Sequence, residues 1–339
     1  MRVYILFGFI FICSCSFENN KKVESKPLIV ELSELVTNDP LNTDVLLQRI
    51  NYNFDKKNYE SALFDLKQCI SIDSLNSNFH FLSAKSYFEI SKVDNSKSSY
   101  PQYAIVSIQK CLEIEPNNSD FLLLYGELQL AFSRYQEAID LFNKCLTINY
   151  NIYKAHHLMG YSLKKLDKIE NAINCFQNAI NINPDNTNSY LELALIFHSQ
   201  NDSIAIEYYN NILTLDSNDI VVLYNLALFY QENNDYNNSL ETYSKLLKID
   251  NFNANVHYNI GFIHMELKLY DIAVNNFADA IYSESSFYQA YYARGICFET
   301  LGNIAQAEVD YKRAIEINAS YVFAKEALDN LLKNNLKYK

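Results

Sequence analysis

Glycine and proline are scarce, at six and five residues in 339. No alternating apolar and polar stretch of strand length competes with the helical patterns described below, which excludes a fold made of short strands and tight turns. Four motifs with a chemical mechanism are also missing: GxxxxGK[ST], HExxH, CxxC and GxSxG. The sequence therefore lacks the phosphate-cradling loop, the helical zinc pair, the redox dithiol and the nucleophile elbow. No cluster of Lys and Arg appears, and the formal charge is −12. Binding to DNA, RNA or an anionic lipid surface needs a basic stripe, so none of these is expected as the main partner.

What the chain does have is a period. Gly126, Gly160, Ala194, Ala227, Gly261 and Gly295 follow one another at steps of 34, 34, 33, 34 and 34 residues, with Ala84 upstream. The recurring pattern behind the small residue is an aromatic or long apolar residue three later, an alanine twelve later and an aromatic sixteen later. One repeat reads Gly160, Leu163, Ala172, Phe176, Ala179, Pro184, and another Gly261, His264, Ala273, Phe277, Ala280. The second helix of the repeat before these carries a helical stripe: Ala138, Ile139, Phe142, Cys145 and Leu146 on one side, Glu137, Asp140, Asn143 and Lys144 on the other. A period of this length holds one helix-turn-helix unit.

The pattern resembles the tetratricopeptide repeat family, with its Gly or Ala at position 8, Ala at 20, aromatic at 24, small residue at 27 and Pro at 32. The resemblance implies an all-α fold, an α-solenoid wound as a right-handed superhelix. Eight repeats are expected: 43–76, 77–118 with an insertion at 91–101, 119–152, 153–186, 187–219, 220–253, 254–287 and 288–320. Position 8 is expected to face position 20 where the two helix axes approach within about 8–10 Å, so that only a hydrogen or methyl fits. Proline at position 32, as in Pro116 and Pro184, ends the second helix. Repeats cannot bury their end faces alone, so caps are needed. Residues 28–42, with Leu28, Leu32 and Leu35 before Pro40, read as an N-terminal cap helix, and 321–339 as a solvating C-terminal one. The insertion is expected to loop out between the helices of repeat two. Length in a solenoid simply adds repeats, so one domain is expected.

Residues 3–12 form an apolar run after Met1 and Arg2, too short to cross a bilayer comfortably and long enough for a secretory signal. It ends in Ile12-Cys13-Ser14-Cys15, which resembles a bacterial lipoprotein signal: an aliphatic residue, two small ones, then the cysteine to be lipidated. Cys15 matches and Cys13, behind bulky Ile12, does not. The resemblance implies a signal peptide at 1–14, a flexible tether at 15–27 and an anchor of more than one acyl chain, as stable attachment requires. Ser16, rather than aspartate, leans toward the periplasmic face of the outer membrane if the cell has one.

Five cysteines remain. Cys69, Cys111 and Cys145 fall at position 27, where packing wants a small residue, and equivalent helices stand too far apart for these three to bridge. Cys175 and Cys297 complete the set, and no structural disulfide is expected. His80, His156 and His257 fall at position 4 and His264 at position 11, so they read as packing residues. His156 and His157, about 100° apart on a helix, do not suit one metal. Glu137, Asp140, Glu207, Glu241 and Glu316 read as solvated faces. The richness in Asn, Ile, Lys and Tyr reads as a compositional trait of the genome. Neither cofactor, metal nor catalytic residue is expected.

The resemblance implies that positions 5, 9 and 12 of each first helix line a concave binding face. Position 5 reads Leu123, His157, Leu191, Tyr224, Tyr258, Tyr292, and position 9 reads Glu127, Tyr161, Leu195, Leu228, Phe262, Ile296. Members that clamp a C-terminal carboxylate need Lys at 5 and Asn at 9, a pair found in no repeat here. An apolar, aromatic lining suits an amphipathic helix or extended apolar peptide. Simple packing against the next helix is the competing reading. The expected function is a membrane-anchored scaffold in the bacterial envelope, resembling the repeat lipoproteins that pilot secretins or recruit cell-wall hydrolases. The alternative is an envelope enzyme or solute-binding component with a ligand site in the groove or the 91–101 insertion. Cys15→Ser is expected to leave full-length precursor and abolish acyl labelling, whereas Cys13→Ser leaves labelling intact; labelling with the reverse dependence would reassign the anchor.

Overall fold

The structure, a computed structural model, describes residues 26–94 and 96–337, with side chains through Lys333. Residues 1–25, which carry the signal, Cys15 and most of the tether, lie outside the described residues. Among the described residues there are eighteen α-helices and no strand. After α1 (Leu28–Asn38), the first helices of the repeats are α2 (Thr43–Asp55), α4 (Ser77–Val93), α6 (Ser119–Ala131), α8 (Tyr153–Lys165), α10 (Thr187–Ser199), α12 (Ile220–Glu232), α14 (Ala254–Glu266) and α16 (Tyr288–Thr300). Their partners are α3 (Tyr59–Ile72), α5 (Tyr100–Ile114), α7 (Tyr135–Ile148), α9 (Ile169–Ile182), α11 (Ile204–Leu215), α13 (Tyr236–Leu247), α15 (Tyr270–Ser283) and α17 (Ile304–Ile317), and α18 (Val322–Lys337) follows.

The chain divides into two compact units, Met1–Pro116 and Asn117–Lys339, where the repeat reading expects one domain. In the first, Val36 of α1 packs with Leu46, Ile50, Ala62 and Leu66 of repeat one and Phe79 of repeat two. In the second, each core cluster joins one repeat's second helix to the next repeat's first: Tyr243 and Leu246 meet Val256 and Ile260, and Tyr311 meets Leu331 of α18. An amphipathic second helix thus has apolar neighbours on both sides, which is why the fold propagates by stacking.

Position 8 meets both position 20 and position 24: in repeat six the Ser239 hydroxyl at position 20 donates to the Ala227 carbonyl at position 8, at 2.8 Å, and the nearest side chain is the one at position 24. A Cβ placed on Gly126, Gly160, Gly261 or Gly295 would sit 2.4–2.8 Å from the ring of Phe142, Phe176, Phe277 or Tyr311. All four rings are at position 24 and fully buried. The side chain that lies over the helix crossing is the long aromatic, and the small residue makes room for its ring. Sizes vary by position along the chain: positions 8 and 24 are Ile50 and Leu66 in repeat one, which share a core cluster, and Ala84 and Ile108 in repeat two, all buried.

The turn between paired helices follows an equally regular rule. Lys57, Ser133, Asp167, Asn201, Asn234, Lys268 and Gly302 all have positive φ, between 55° and 79°. Each occupies position 15. A non-glycine residue there costs about 1 kcal/mol of backbone strain, which only Gly302 avoids. Repeat two has Ser91 at this position without positive φ, and α4 continues helically to Val93. Residues 91–93 of the insertion therefore lengthen α4 and 100–101 open α5 instead of looping out, because the reversal that stops the other first helices is absent. Lys97 in the remaining connection reaches Glu60 at 3.6 Å and lies over the Tyr100 ring at 5.4 Å.

Asparagine and aspartate have structural work between repeats. Asp73, Asn149, Asn183, Asp216, Asp250 and Asn318 each accept a hydrogen bond from the backbone N–H two residues on. Asn42, Asn118, Asp219 and Asn253 then cap the next first helix. Composition alone does not account for these residues, since short acceptor side chains stabilise Asx turns and N-caps.

Gly160→Ile is expected to lower stability by about 1–3 kcal/mol through collision with Phe176. Adding Phe176→Leu, which recreates the Ile50–Leu66 pairing of repeat one, is expected to recover part of the loss. Urea unfolding of both variants measures this, and strictly additive losses would contradict the contact.

Candidate interaction face

Six first helices of the second unit align positions 5 and 9 in a row. Leu123, His157, Leu191, Tyr224, Tyr258 and Tyr292 are all half-buried. At position 9 Glu127, Tyr161, Leu228, Phe262 and Ile296 are half-buried, and Leu195 is exposed. The position-5 rings lean on the position-24 rings beneath them: His157 on Phe176 at 5.6 Å, Tyr224 on Tyr243 at 6.1 Å, Tyr258 on Phe277 at 5.5 Å and Tyr292 on Tyr311 at 5.9 Å. One side of each ring therefore packs on the core while the residue keeps part of its surface in solvent. Groove lining and packing are not exclusive here.

The late repeats gather more rings than positions 5 and 9 supply. Phe287 lies 5.1 Å from Tyr258, and Tyr321 lies 5.3 Å from Tyr292 and 4.8 Å from Tyr288. Phe287 and Tyr321 both hold position 34, just before the next first helix. An aromatic in that column was the available signal for them. Burial, together with the neighbouring phenols Tyr258, Tyr292 and Tyr288, pushes the Tyr321 hydroxyl up to about 12. Burial likewise raises Tyr258 and Tyr292, so all three present neutral phenols.

Position 12, the third implied lining position, does something else in three repeats. The buried phenols at position 24 need polar partners, because an unpaired buried hydroxyl is costly. Tyr209 meets His198 Nδ1 at 2.9 Å, Tyr243 donates to Gln231 Oε1 at 3.1 Å, and Tyr311 donates to Glu299 Oε2 at 2.7 Å. His198, Gln231 and Glu299 are the position-12 residues. Where position 24 is Phe, position 12 is instead Leu130, Lys164 or Met265. The two columns change together, a signal legible in the sequence but visible only once the pairing is known.

The histidines tie repeats together. His80, His156 and His257 each place Nε2 at 2.9–3.0 Å from the carbonyl oxygen at position 32 of the preceding repeat, that of Ser74, Tyr150 or Asn251. A carbonyl only accepts, so Nε2 carries the proton. His156 Nδ1 is then buried without a partner. His157 turns the other way: its Nδ1 lies 2.8 Å from Ser189 Oγ, which accepts from Asn186 Nδ2 at 2.8 Å. Burial depresses both imidazoles below the ordinary histidine value; for His157, Lys164 adds to the depression and Glu192 opposes it.

The five described cysteines are free and buried, and burial raises every thiol to about 11 or 12. Cys111 and Cys145 at position 27 donate to the carbonyls of Ser77 and Ser119, the first residues of their repeats. Glu137, Asp140, Glu207, Glu241 and Glu316 lie on exposed helix faces. Among the described residues no group of three His, Cys, Asp or Glu side chains is placed to hold a metal ion. Sequence reasoning passed over two buried forked ion pairs, Arg49 with Asp65 at 2.6 and 2.8 Å and Arg294 with Asp310 at 2.8 Å twice. Both pair position 7 with position 23, in the first and last repeats.

Family models described as TPR repeat match residues 160–201 and 229–268, and others described as tetratricopeptide repeat match 107–140 and 288–321. The chain belongs to the tetratricopeptide repeat family. Among solved structures, the C-terminal part of a TPR repeat-containing protein from Cytophaga hutchinsonii aligns over 68% of this chain and 96% of its own, at 14% identity and TM-score 0.62. Pseudomonas aeruginosa pilF aligns over 61% of this chain and 90% of its own, at 18% identity and TM-score 0.52. At such identities the likeness shows the fold, an α-solenoid. No curated protein matches the chain. Tetratricopeptide repeats are protein-interaction scaffolds, and this chain is read as one.

Because the unfolded chain binds protons near pH 6.5 and the buried imidazoles resist them, stability held above about pH 6.5 is expected to fall as pH drops below it. His156→Gln combined with His157→Gln should flatten that fall. Urea midpoints across this range test it, and an unchanged slope would contradict the burial argument.

Proposed function

We propose that this protein is a lipid-anchored scaffold of the bacterial envelope that holds a protein partner along the row of positions 5 and 9. The observation that carries the reading is the half-buried aromatic row in the second unit, backed by the buried position-24 rings and therefore rigid. Tyr224, Tyr258, Phe262 and Tyr292 offer large apolar area at little cost in side-chain entropy, with phenol hydroxyls for hydrogen bonds. An amphipathic helix or an extended apolar segment matches such a surface. Attachment through Cys15 would place the row at a membrane face, on the outer membrane in a cell that has one.

The row is testable without disturbing the fold. A photo-crosslinking residue at Leu195 or Phe262 in intact cells is expected to capture a discrete protein partner, and the same residue at Asn174, on the exposed face of α9, is not. Tyr258→Ala should weaken capture by about 2 kcal/mol or more if it anchors the partner. It should also cost some stability, since its ring packs on Phe277 and Phe287. Equal crosslinking from Leu195 and Asn174 would sink the proposal.

A further inference from the structure

Repeats five and six use the same space in different ways. Repeat five has one residue fewer between its helices, so Ala205, Tyr208 and Tyr209 take positions 20, 23 and 24; the ring of Tyr208 lies between α9, α10 and its own α11. It stacks on Phe197 at 5.6 Å with the planes 14° apart, and Tyr190 stands 6.3 Å away. Its hydroxyl donates to Gln177 Oε1 of the preceding repeat at 3.0 Å.

In repeat six position 23 is Thr242, and the corresponding space is a cleft of about 360 Å³ lined by Asn210, Leu213, Leu223, Leu226, Tyr230 and Thr242 among others. The register is fixed by the adjacent buried rings, Tyr209 and Tyr243, each bonded to position 12 of its own repeat. The features that hold the Tyr208 ring have counterparts, except that Tyr190 gives way to the aliphatic Leu223. Tyr230 replaces Phe197 as the stacking ring, Leu226 replaces Leu193 on the floor, and Asn210 replaces Gln177 as the side-chain amide acceptor. Leu223, Leu226 and Thr242 are buried, whereas Asn210 is exposed at the rim. Glu241 and Lys245, also at the rim, neutralise each other at 2.8 Å. The cleft is thus apolar at its base, flanked by an aromatic face, closed by an amide, and without net charge.

We infer that this cleft binds a para-substituted phenol, the ring class that the chain itself places in the equivalent space one repeat earlier. The site is separate from the aromatic row, because it uses positions 4, 7 and 11 of α12 whereas the row uses Tyr224 and Leu228 at positions 5 and 9. The phenol ring would stack on Tyr230 and its hydroxyl would donate to Asn210 Oδ1. Stacking between offset rings and one hydrogen bond at an apolar site suffice for selective, modest affinity. Two sources share this chemistry, a free phenolic compound and a tyrosine side chain of a partner.

Titration of the full chain with 4-ethylphenol, ethylbenzene and N-acetyl-tyrosinamide, followed by calorimetry or chemical shifts, tests the inference. One saturable site for 4-ethylphenol is expected, with ethylbenzene about tenfold weaker for want of the hydroxyl. Thr242→Tyr should abolish binding, because its own ring takes the space, and Asn210→Leu should reduce 4-ethylphenol to the ethylbenzene level. If Thr242→Tyr lowers the melting temperature, the Asn210→Leu arm decides, since that position is exposed. Binding of 4-ethylphenol alone identifies a free compound as the source; binding of N-acetyl-tyrosinamide as well identifies a tyrosine side chain. Absence of saturable binding, or binding unchanged by both substitutions, overturns the inference.

Discussion

From repeat three onward the fold hangs on the contact between position 8 and the ring at position 24. A ring buried at the crossing of two helices removes a large apolar area from water, worth about 1.5–3 kcal/mol per repeat. It can lie there only if the facing helix presents almost nothing, which Gly126, Gly160, Gly261 and Gly295 do. The same ring then supports the position-5 aromatics above it. Closing the repeat and stiffening the candidate interaction row are one event.

The polar groups inside the array follow from that choice. Replacing Phe by Tyr at position 24 adds a buried hydroxyl, and in each case position 12 supplies its partner: His198, Gln231 or Glu299. His80, His156 and His257 do comparable work at the turns, giving an N–H to a position-32 carbonyl in the connection that follows a second helix. Such bonds add modest net stability, yet leaving either partner unpaired would cost more. They fix how one repeat is set on the next.

A repeat array also carries internal controls. Position 23 holds Tyr208 in repeat five and Thr242 in repeat six, under the same pattern of core residues, so one repeat shows what the other could hold. The comparison of position 7 with position 23 similarly isolates the Arg49–Asp65 and Arg294–Asp310 pairs, absent from the repeats between them. In a fold where geometry repeats, departures from the column are where particular chemistry resides.

The sequence by itself determined the period, the helical class and which face of each second helix is buried, because these depend on the local spacing of Gly160, Ala172 and Phe176 and of their counterparts. It also determined the want of recognisable catalytic motifs. Tertiary structure decided which side chain comes nearest: the Phe176 ring fills the space over Gly160, since the ring's reach, not its place in the stripe, sets the contact. It decided that residues after Ser91 extend α4, because a chain reversal at positive φ is a backbone event that no side-chain pattern encodes when Lys, Ser, Asp and Asn all serve. The double duty of Tyr258, packed below and partly open above, likewise arises only when Phe277 and Phe287 are brought beneath and beside it. Spacing assigns a residue to a face; only packing fixes how much of that face remains in water.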